Sequence, residues 1–337
     1  MKEAMLYHPL KDGKVQCILC NHRCVIPPTK RGICGVRENQ EGKLYSLVYG
    51  RAISLNVDPI EKKPLFHVFP GSTSFSIATV GCNFRCLQCQ NYEISQMPRD
   101  QEGRIEGSSL APSKIVSLAK QYRCRSISYT YTEPTIYFEY AYDTARQAHE
   151  EGIKNIFVTN GYMTEEALKT IQPYLDAANV DLKSFREKFY KEVCGATLKP
   201  VLENLKWMRE MGIWVEITTL VIPTWNDSDQ EWEEMAQFIL SLGAEVPWHL
   251  SAFYPTYKMV TPPRTSPSLL HHAREIGLKA GLRYVYCGNI PGEEGEDTFC
   301  PSCHRKVIER VGFRVTQNDI RNGRCRHCHG TLDGIWD

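Results

Sequence analysis

The chain has 337 residues, with 40 Lys and Arg against 39 Asp and Glu and a formal net charge of +1. That balance gives no overall pull toward nucleic acid or an anionic membrane, which argues against a dedicated polyanion binder and leaves only local basic patches. No run approaches the ~18 apolar residues of a spanning helix. The start, Met1-Lys-Glu-Ala-Met-Leu-Tyr-His-Pro, lacks the apolar core of a signal peptide, so a cytoplasmic protein with no membrane partner is expected.

Fourteen cysteines are many for a reducing compartment, where a disulfide framework is disfavoured. Most fall into three tight groups: Cys17, Cys20, Cys24 and Cys34; Cys82, Cys86 and Cys89; Cys300, Cys303, Cys325 and Cys328. Groups of four, three and four are what two closed metal sites and one open one would produce. Cys124, Cys194 and Cys287 stand alone and read as small buried hydrophobes. Of these, Cys194 and Cys287 are also candidates for the neighbourhood of an active site.

In chain order, the first group places four thiolates within eighteen residues, the pattern of a tetrahedral zinc knuckle that folds a segment too short for its own core. An auxiliary iron–sulfur cluster fits the same thiolates as the second option. His22, between two of these cysteines, reads as solvent-facing. From Lys43 to Phe69 the pattern is short strands and turns, and Lys62-Lys63 reads as a solvated basic pair. The expected divisions are an N-terminal module over residues 1–70, a catalytic core over 71–290 and a tail over 291–337, with the acidic Pro291–Asp297 stretch as hinge.

Strand-like runs then appear at Phe75–Val80, Ser126–Thr132, Asn155–Thr159, Ala178–Leu182, Trp214–Ile222 and Trp248–Phe253. Amphipathic helical patterns lie between and after them, at Pro112–Gln121, Tyr137–Glu151, Thr164–Tyr174, Pro200–Met211, Asp229–Leu242 and Pro267–Gly281. Ser113, Thr164 and Asp227 or Ser228 are the candidate caps. Regular strand–helix alternation predicts an α/β fold, a parallel sheet with crossover helices curled into a partial (β/α)6 TIM-type barrel. A flat doubly wound sheet would need a glycine-rich phosphate loop after the first strand. A cysteine motif stands there instead.

In the tail, Cys300-Pro-Ser-Cys303 and Cys325-Arg-His-Cys328 form two knuckles at zinc-ribbon separation. Lys306, Arg310, Arg314, Arg321, Arg324 and Arg326 make this segment locally basic. RNA or an acidic protein is the alternative partner there, and a structural zinc site is the favoured reading.

The motif after the first core strand is Cys82-Asn-Phe-Arg-Cys86-Leu-Gln-Cys89. Three soft thiolates on one short loop suit iron–sulfur chemistry, and a closed zinc site lacks its fourth ligand here. CX3CX2C with an aromatic before the second cysteine resembles the signature of the radical S-adenosylmethionine (radical SAM) superfamily. The resemblance implies a [4Fe–4S] cluster held by Cys82, Cys86 and Cys89, with its open iron chelating SAM. One electron then cleaves SAM to a 5′-deoxyadenosyl radical. It also implies an electron donor such as flavodoxin or ferredoxin.

Polar residues at the carboxyl ends of the strands extend the resemblance, since barrel chemistry gathers there. Tyr131-Thr132-Glu133-Pro134 is similar to the Gly-Gly-Glu-Pro segment that binds the SAM amino group, with Glu133 in place and the glycines replaced. Asn160 is a candidate to line the nucleoside. Asp181-Leu-Lys183 matches the strand end of glycyl-radical activases, where Asp and Lys reach ribose or the SAM carboxylate; a plain buried ion pair also fits. Thr218 lies on the next strand. His249 stands where activases place an adenine-facing histidine, and a satisfied core histidine is the competing reading. Asn91 and Tyr92 are candidates to stack on or bond the adenine.

The cysteine-rich N-terminus with Arg31-Gly-Ile-Cys34-Gly-Val-Arg37, the core motifs and the terminal ribbon together resemble the AmmeMemoRadiSam-system radical SAM enzymes, often labelled pyruvate formate-lyase activating enzyme homologues. That likeness covers almost the whole chain and implies AMMECR-type and Memo-type proteins as partners. Two other functions compete: a glycyl-radical-enzyme activase proper, and a zinc-stabilised scaffold that binds RNA or protein.

Overall fold

The computed structural model describes residues 1–290 and 294–336, so the first part of the expected acidic hinge, residues 291–293, lies outside the described residues. The core is one eight-stranded sheet. Its strands are β1 (Ser54–Pro59), β2 (Thr73–Ala78), β3 (Ser126–Tyr129), β4 (Lys154–Thr159), β5 (Ala177–Asp181), β6 (Trp214–Val221), β7 (Trp248–Ala252) and β8 (Val285–Gly288). They lie side by side in chain order. From β2 onward every pairing is parallel, and β1 adds antiparallel to β2.

The partial barrel is therefore larger than the six strands expected. Val285–Gly288 supplies a seventh parallel strand, and the segment before residue 71 supplies β1. Both edges are β1 and β8 among the described residues, and residues next to both edges line one cavity. The sheet thus curls without closing.

Crossover helices α1 (Pro112–Gln121), α2 (Phe138–Glu150), α3 (Glu165–Ile171), α4 (Lys199–Glu210), α5 (Asp229–Leu242) and α6 (Pro267–Ala280) follow the expected patterns closely. Helix α5 shows why. Trp232, Met235, Ala236 and Ile239 fall on one helical stripe and are all buried. Each large side chain so buried contributes about 1.5–3 kcal/mol.

Thr164 and Ser228 cap their helices as expected, their hydroxyls accepting from Ala167 N at 3.2 Å and Glu231 N at 3.4 Å. Ser113 does not. Pro112 takes the first position of α1, so Ser113 lies inside the first turn.

The flanking modules pack on this core. Arg37 of the N-terminal module bonds Glu139 of α2 at 2.9 Å, both side chains buried, and the Met5 carbonyl at 2.7 Å. The tail contributes a sheet of Thr298–Phe299, Lys306–Val311 and Arg314–Asn318. It docks on the core through reciprocal backbone bonds, Phe69 N to Ile335 O at 2.8 Å and Ile335 N to His67 O at 2.7 Å. Among the described residues no helix is long and apolar enough to cross a membrane.

Candidate active site

The loop after β2 turns at Gly81, whose φ of +98° disfavours a side chain. A Cβ there would meet Val36 at 2.6 Å and the Cys34 carbonyl at 3.1 Å, so only glycine lets the loop lie against the N-terminal module. The cysteine loop itself is strapped down by backbone bonds: Arg85 N to Cys194 O at 2.9 Å and Leu87 N to Val193 O at 3.0 Å. His22 bonds the Asn83 carbonyl at 2.8 Å and is half-buried against Tyr162, which corrects its reading as solvent-facing.

Cys82, Cys86 and Cys89 all open onto a cavity of about 470 Å³ at the carboxyl ends of the strands. Asn91, Asn160, Asp181, Lys183, Thr218 and His249 share its walls. Parallel register explains this convergence. Asp181 pairs with Thr218, Thr218 with His249 and His249 with Tyr286, so one row crosses four strands. Lys183 Nζ bonds Asp181 Oδ2 at 2.8 Å beside it. Burial works against the Lys183 ammonium, but Asp181 and the nearby thiols more than restore it. Asn226 anchors this strand end by donating to the Lys183 carbonyl at 2.7 Å.

Two expected SAM contacts are not on the cavity wall. Glu133 is fully buried, and its carboxylate already accepts from Thr135 N and Oγ1, Thr159 Oγ1 and Asn160 N at 2.5–3.0 Å. Burial pushes its carboxyl up, and those donors only partly offset the rise. Tyr92 instead stacks on Tyr257, ring centroids 4.6 Å apart. Asn160 reaches the wall, yet its amide is engaged with Asn83 Oδ1 at 2.7 Å, tying the cysteine loop to the end of β4.

His249 is buried and hydrogen-bonded, as the core-histidine reading expects, and it also lies on the cavity wall. Its Nε2 sits 2.6 Å from Glu216 Oε2. Glu216 in turn accepts from Phe66 N at 2.9 Å and His67 N at 2.8 Å. Burial alone would raise Glu216, but the hydrogen bond and charge of His249 outweigh it and hold the carboxyl below its ordinary value.

The cavity also has walls that sequence reasoning missed. Lys63 is buried, not solvated: Nζ bonds Asp58 at 2.6 Å and lies over the Tyr131 ring, and burial brings the ammonium down to about 8. Glu296 and Phe313 of the tail line the same cavity. Cys287, one of the two isolated cysteines named above as candidates for this neighbourhood, lines it too; the other, Cys194, sits against Cys86, and their hydrogen bond pulls the Cys86 thiol down. Cys124 is simply buried. Only contact across distant segments brings Lys63, Glu296 and Phe313 to the cavity, so no local motif announced them.

The donor set suits a cluster and a polar ligand. Gln88 Oε1, on the cavity wall, and Asn83 Nδ2, beside Cys82, are buried polar atoms without a hydrogen-bond partner among the described residues. In the tail, the four sulfurs of Cys300, Cys303, Cys325 and Cys328 lie within 4.8 Å of one another, with Cys300–Cys328 at 3.6 Å and Cys303–Cys325 at 3.8 Å.

Residues 76–239 match the family model for the radical SAM superfamily. The chain is 46% identical over 336 residues, 99% of both chains, to an uncharacterized protein of Methanocaldococcus jannaschii. It is 23% identical over 168 residues to the pyruvate formate-lyase 1-activating enzyme of Escherichia coli, covering 48% of this chain and 67% of that one. Among solved structures, Streptococcus suis SuiB bound to S-adenosylmethionine shares the fold with TM-score 0.51 and 13% identity, over 68% of this chain and 54% of SuiB. The chain belongs to the radical SAM superfamily. It is accordingly an enzyme that uses a [4Fe–4S] cluster, SAM and a reductant, as the CX3CX2C loop led us to expect.

Proposed function

We propose that Cys82, Cys86 and Cys89 hold the [4Fe–4S] cluster and that the row Asp181, Thr218 and His249, with Lys183 and Asn91, receives SAM. The observation that carries this reading is the opening of all three thiols onto the one cavity those polar residues line. When bound, the cluster supplies the electron that cleaves SAM to a 5′-deoxyadenosyl radical, which takes a hydrogen atom from a substrate. The chain's own part is to bind and orient. Lys183 offers an ammonium to a carboxylate and Asp181 an acceptor to hydroxyls. Glu133 and Asn160 act one layer back: Glu133 fixes the Asn160 backbone, and Asn160 fixes Asn83 beside the first cysteine.

The reading is tested by SAM binding to the reconstituted protein. Adding SAM should change the electron paramagnetic resonance spectrum of the reduced cluster. Lys183→Met should weaken SAM by about 10- to 100-fold, the worth of one charge-assisted hydrogen bond. A spectrum indifferent to SAM overturns the site.

Activation of a glycyl-radical enzyme is the second reading, favoured by the activating-enzyme relatives over the core. Against a bare activase stand the walls from Glu296 and Phe313, which bring the tail into the cavity. The tail quartet supports zinc: bonds of ~2.3 Å to one ion put tetrahedral sulfurs ~3.8 Å apart. AMMECR-type and Memo-type partners remain part of the proposal through resemblance alone, as does flavodoxin or ferredoxin as reductant.

A further inference from the structure

The N-terminal module surrounds a second enclosed space with thiols. Cys17, Cys20, Cys24 and Cys34 all line a narrow cavity of about 20 Å³, walled further by apolar groups of Leu19, Ile26 and Ile136. Two observations separate this quartet from the one in the tail.

The first is spacing. The tail sulfurs gather within 4.8 Å of one another, while among the described residues no three of Cys17, Cys20, Cys24 and Cys34 do. A single zinc ion requires the close gathering. A cube with four separate irons spreads its thiolates to the corners. The sulfurs of Cys82, Cys86 and Cys89 likewise do not all lie within 4.8 Å of one another.

The second is an orphaned donor. Arg37 lines this cavity and is only 2% exposed. Its Nη atoms are used on Glu139 and the Met5 carbonyl, but Nε is buried without a hydrogen-bond partner among the described residues. A buried guanidinium N–H left unpaired is costly, and a negatively charged sulfur ligand is the acceptor this place lacks.

We propose that Cys17, Cys20, Cys24 and Cys34 hold a second [4Fe–4S] cluster, closed by four protein thiolates and so unable to take SAM at an iron. This reverses the order of the expectation from sequence, which set zinc first. The new site shares a wall with the first: the Cys34 carbonyl packs on Gly81, and His22 reaches Asn83.

The test uses the full chain with Cys82, Cys86 and Cys89 all changed to alanine, reconstituted anaerobically with iron, sulfide and zinc. About four iron and four sulfide per chain should remain, with about one zinc, and the reduced spectrum should ignore SAM. Adding Cys20→Ser and Cys24→Ser should remove the iron and leave the zinc. Iron near zero with about two zinc per chain overturns the proposal, as does iron that survives all five substitutions. Should the triple variant fail to fold, the unaltered protein decides: about eight iron per chain supports the second cluster and about four contradicts it. None of these counts depends on SAM binding, so failure of the SAM site reads out separately.

Discussion

Arg310 reads in the sequence as one of six basic residues on the tail, yet it is buried and works as a clamp. Its Nη1 donates to Glu296 O at 2.9 Å and Thr298 Oγ1 at 2.8 Å, and its Nη2 donates to Phe66 O at 2.9 Å. The guanidinium also lies 4.1 Å over the Phe66 ring. Arg310→Ala strands those acceptors and should cost about 3–5 kcal/mol in denaturant unfolding; an unchanged midpoint would refute the clamp. His67 sits at the same junction, bonding Tyr286 OH and Asp333 O, each at 2.7 Å. Burial brings its imidazole down to about 4 from an ordinary 6.5, against the pull of nearby Glu216. The unfolded chain therefore binds a proton that the folded chain refuses between those values. Stability should fall as pH drops from 6.5 to about 4 and stay level in this respect above it. A thermal-unfolding series should show that slope, and His67→Asn should flatten it.

At the scale of elements, the helices were legible because each carries a full amphipathic stripe, as α5 does with Trp232, Met235, Ala236 and Ile239. The two edge strands were not placed in the sheet: Ser54–Pro59 fell among the short strands expected of the N-terminal module, and Val285–Gly288 was not expected as a strand. Val285–Gly288 is buried but only four residues long, and β1 turns Leu55 and Val57 toward solvent, so the first is too short and the second lacks a buried run to read. Lys63 was misread for a related reason: its partners, Asp58 and Tyr131, meet it only when β1 and the end of β3 come together. Four cysteines within eighteen residues looked alike for zinc and iron, since ligand spacing in sequence does not report sulfur spacing in space. The tail quartet is different, because two knuckles on paired hairpins already imply a tetrahedron. Cys303→Ala should lose about one zinc per chain and lower the unfolding temperature while sparing the core iron, by elemental analysis. Loss of iron alongside zinc would show that the ribbon is not a separate site.

Over the whole molecule, three cysteine sites are arranged about one curled sheet. The N-terminal module braces the cysteine loop from outside through Gly81 and His22. The tail reaches the cavity through Glu296 and Phe313, and Arg310 locks it there. Burial carries Glu296 up to about 7, so the cavity wall changes charge near neutral pH. With SAM in the proposed site, the reacting hydrogen comes from a molecule that fits beside it under these walls. Phe313→Ala should leave cleavage of SAM alone intact and impair turnover of a true substrate, which turns the variant into an assay for candidates. The central claim is tested most directly by incubating the anaerobically reconstituted protein with dithionite and SAM and measuring 5′-deoxyadenosine. The account predicts its formation by the unaltered chain and its loss in Cys86→Ala. Intact SAM in the presence of a fully loaded cluster, or undiminished cleavage by Cys86→Ala, would contradict it.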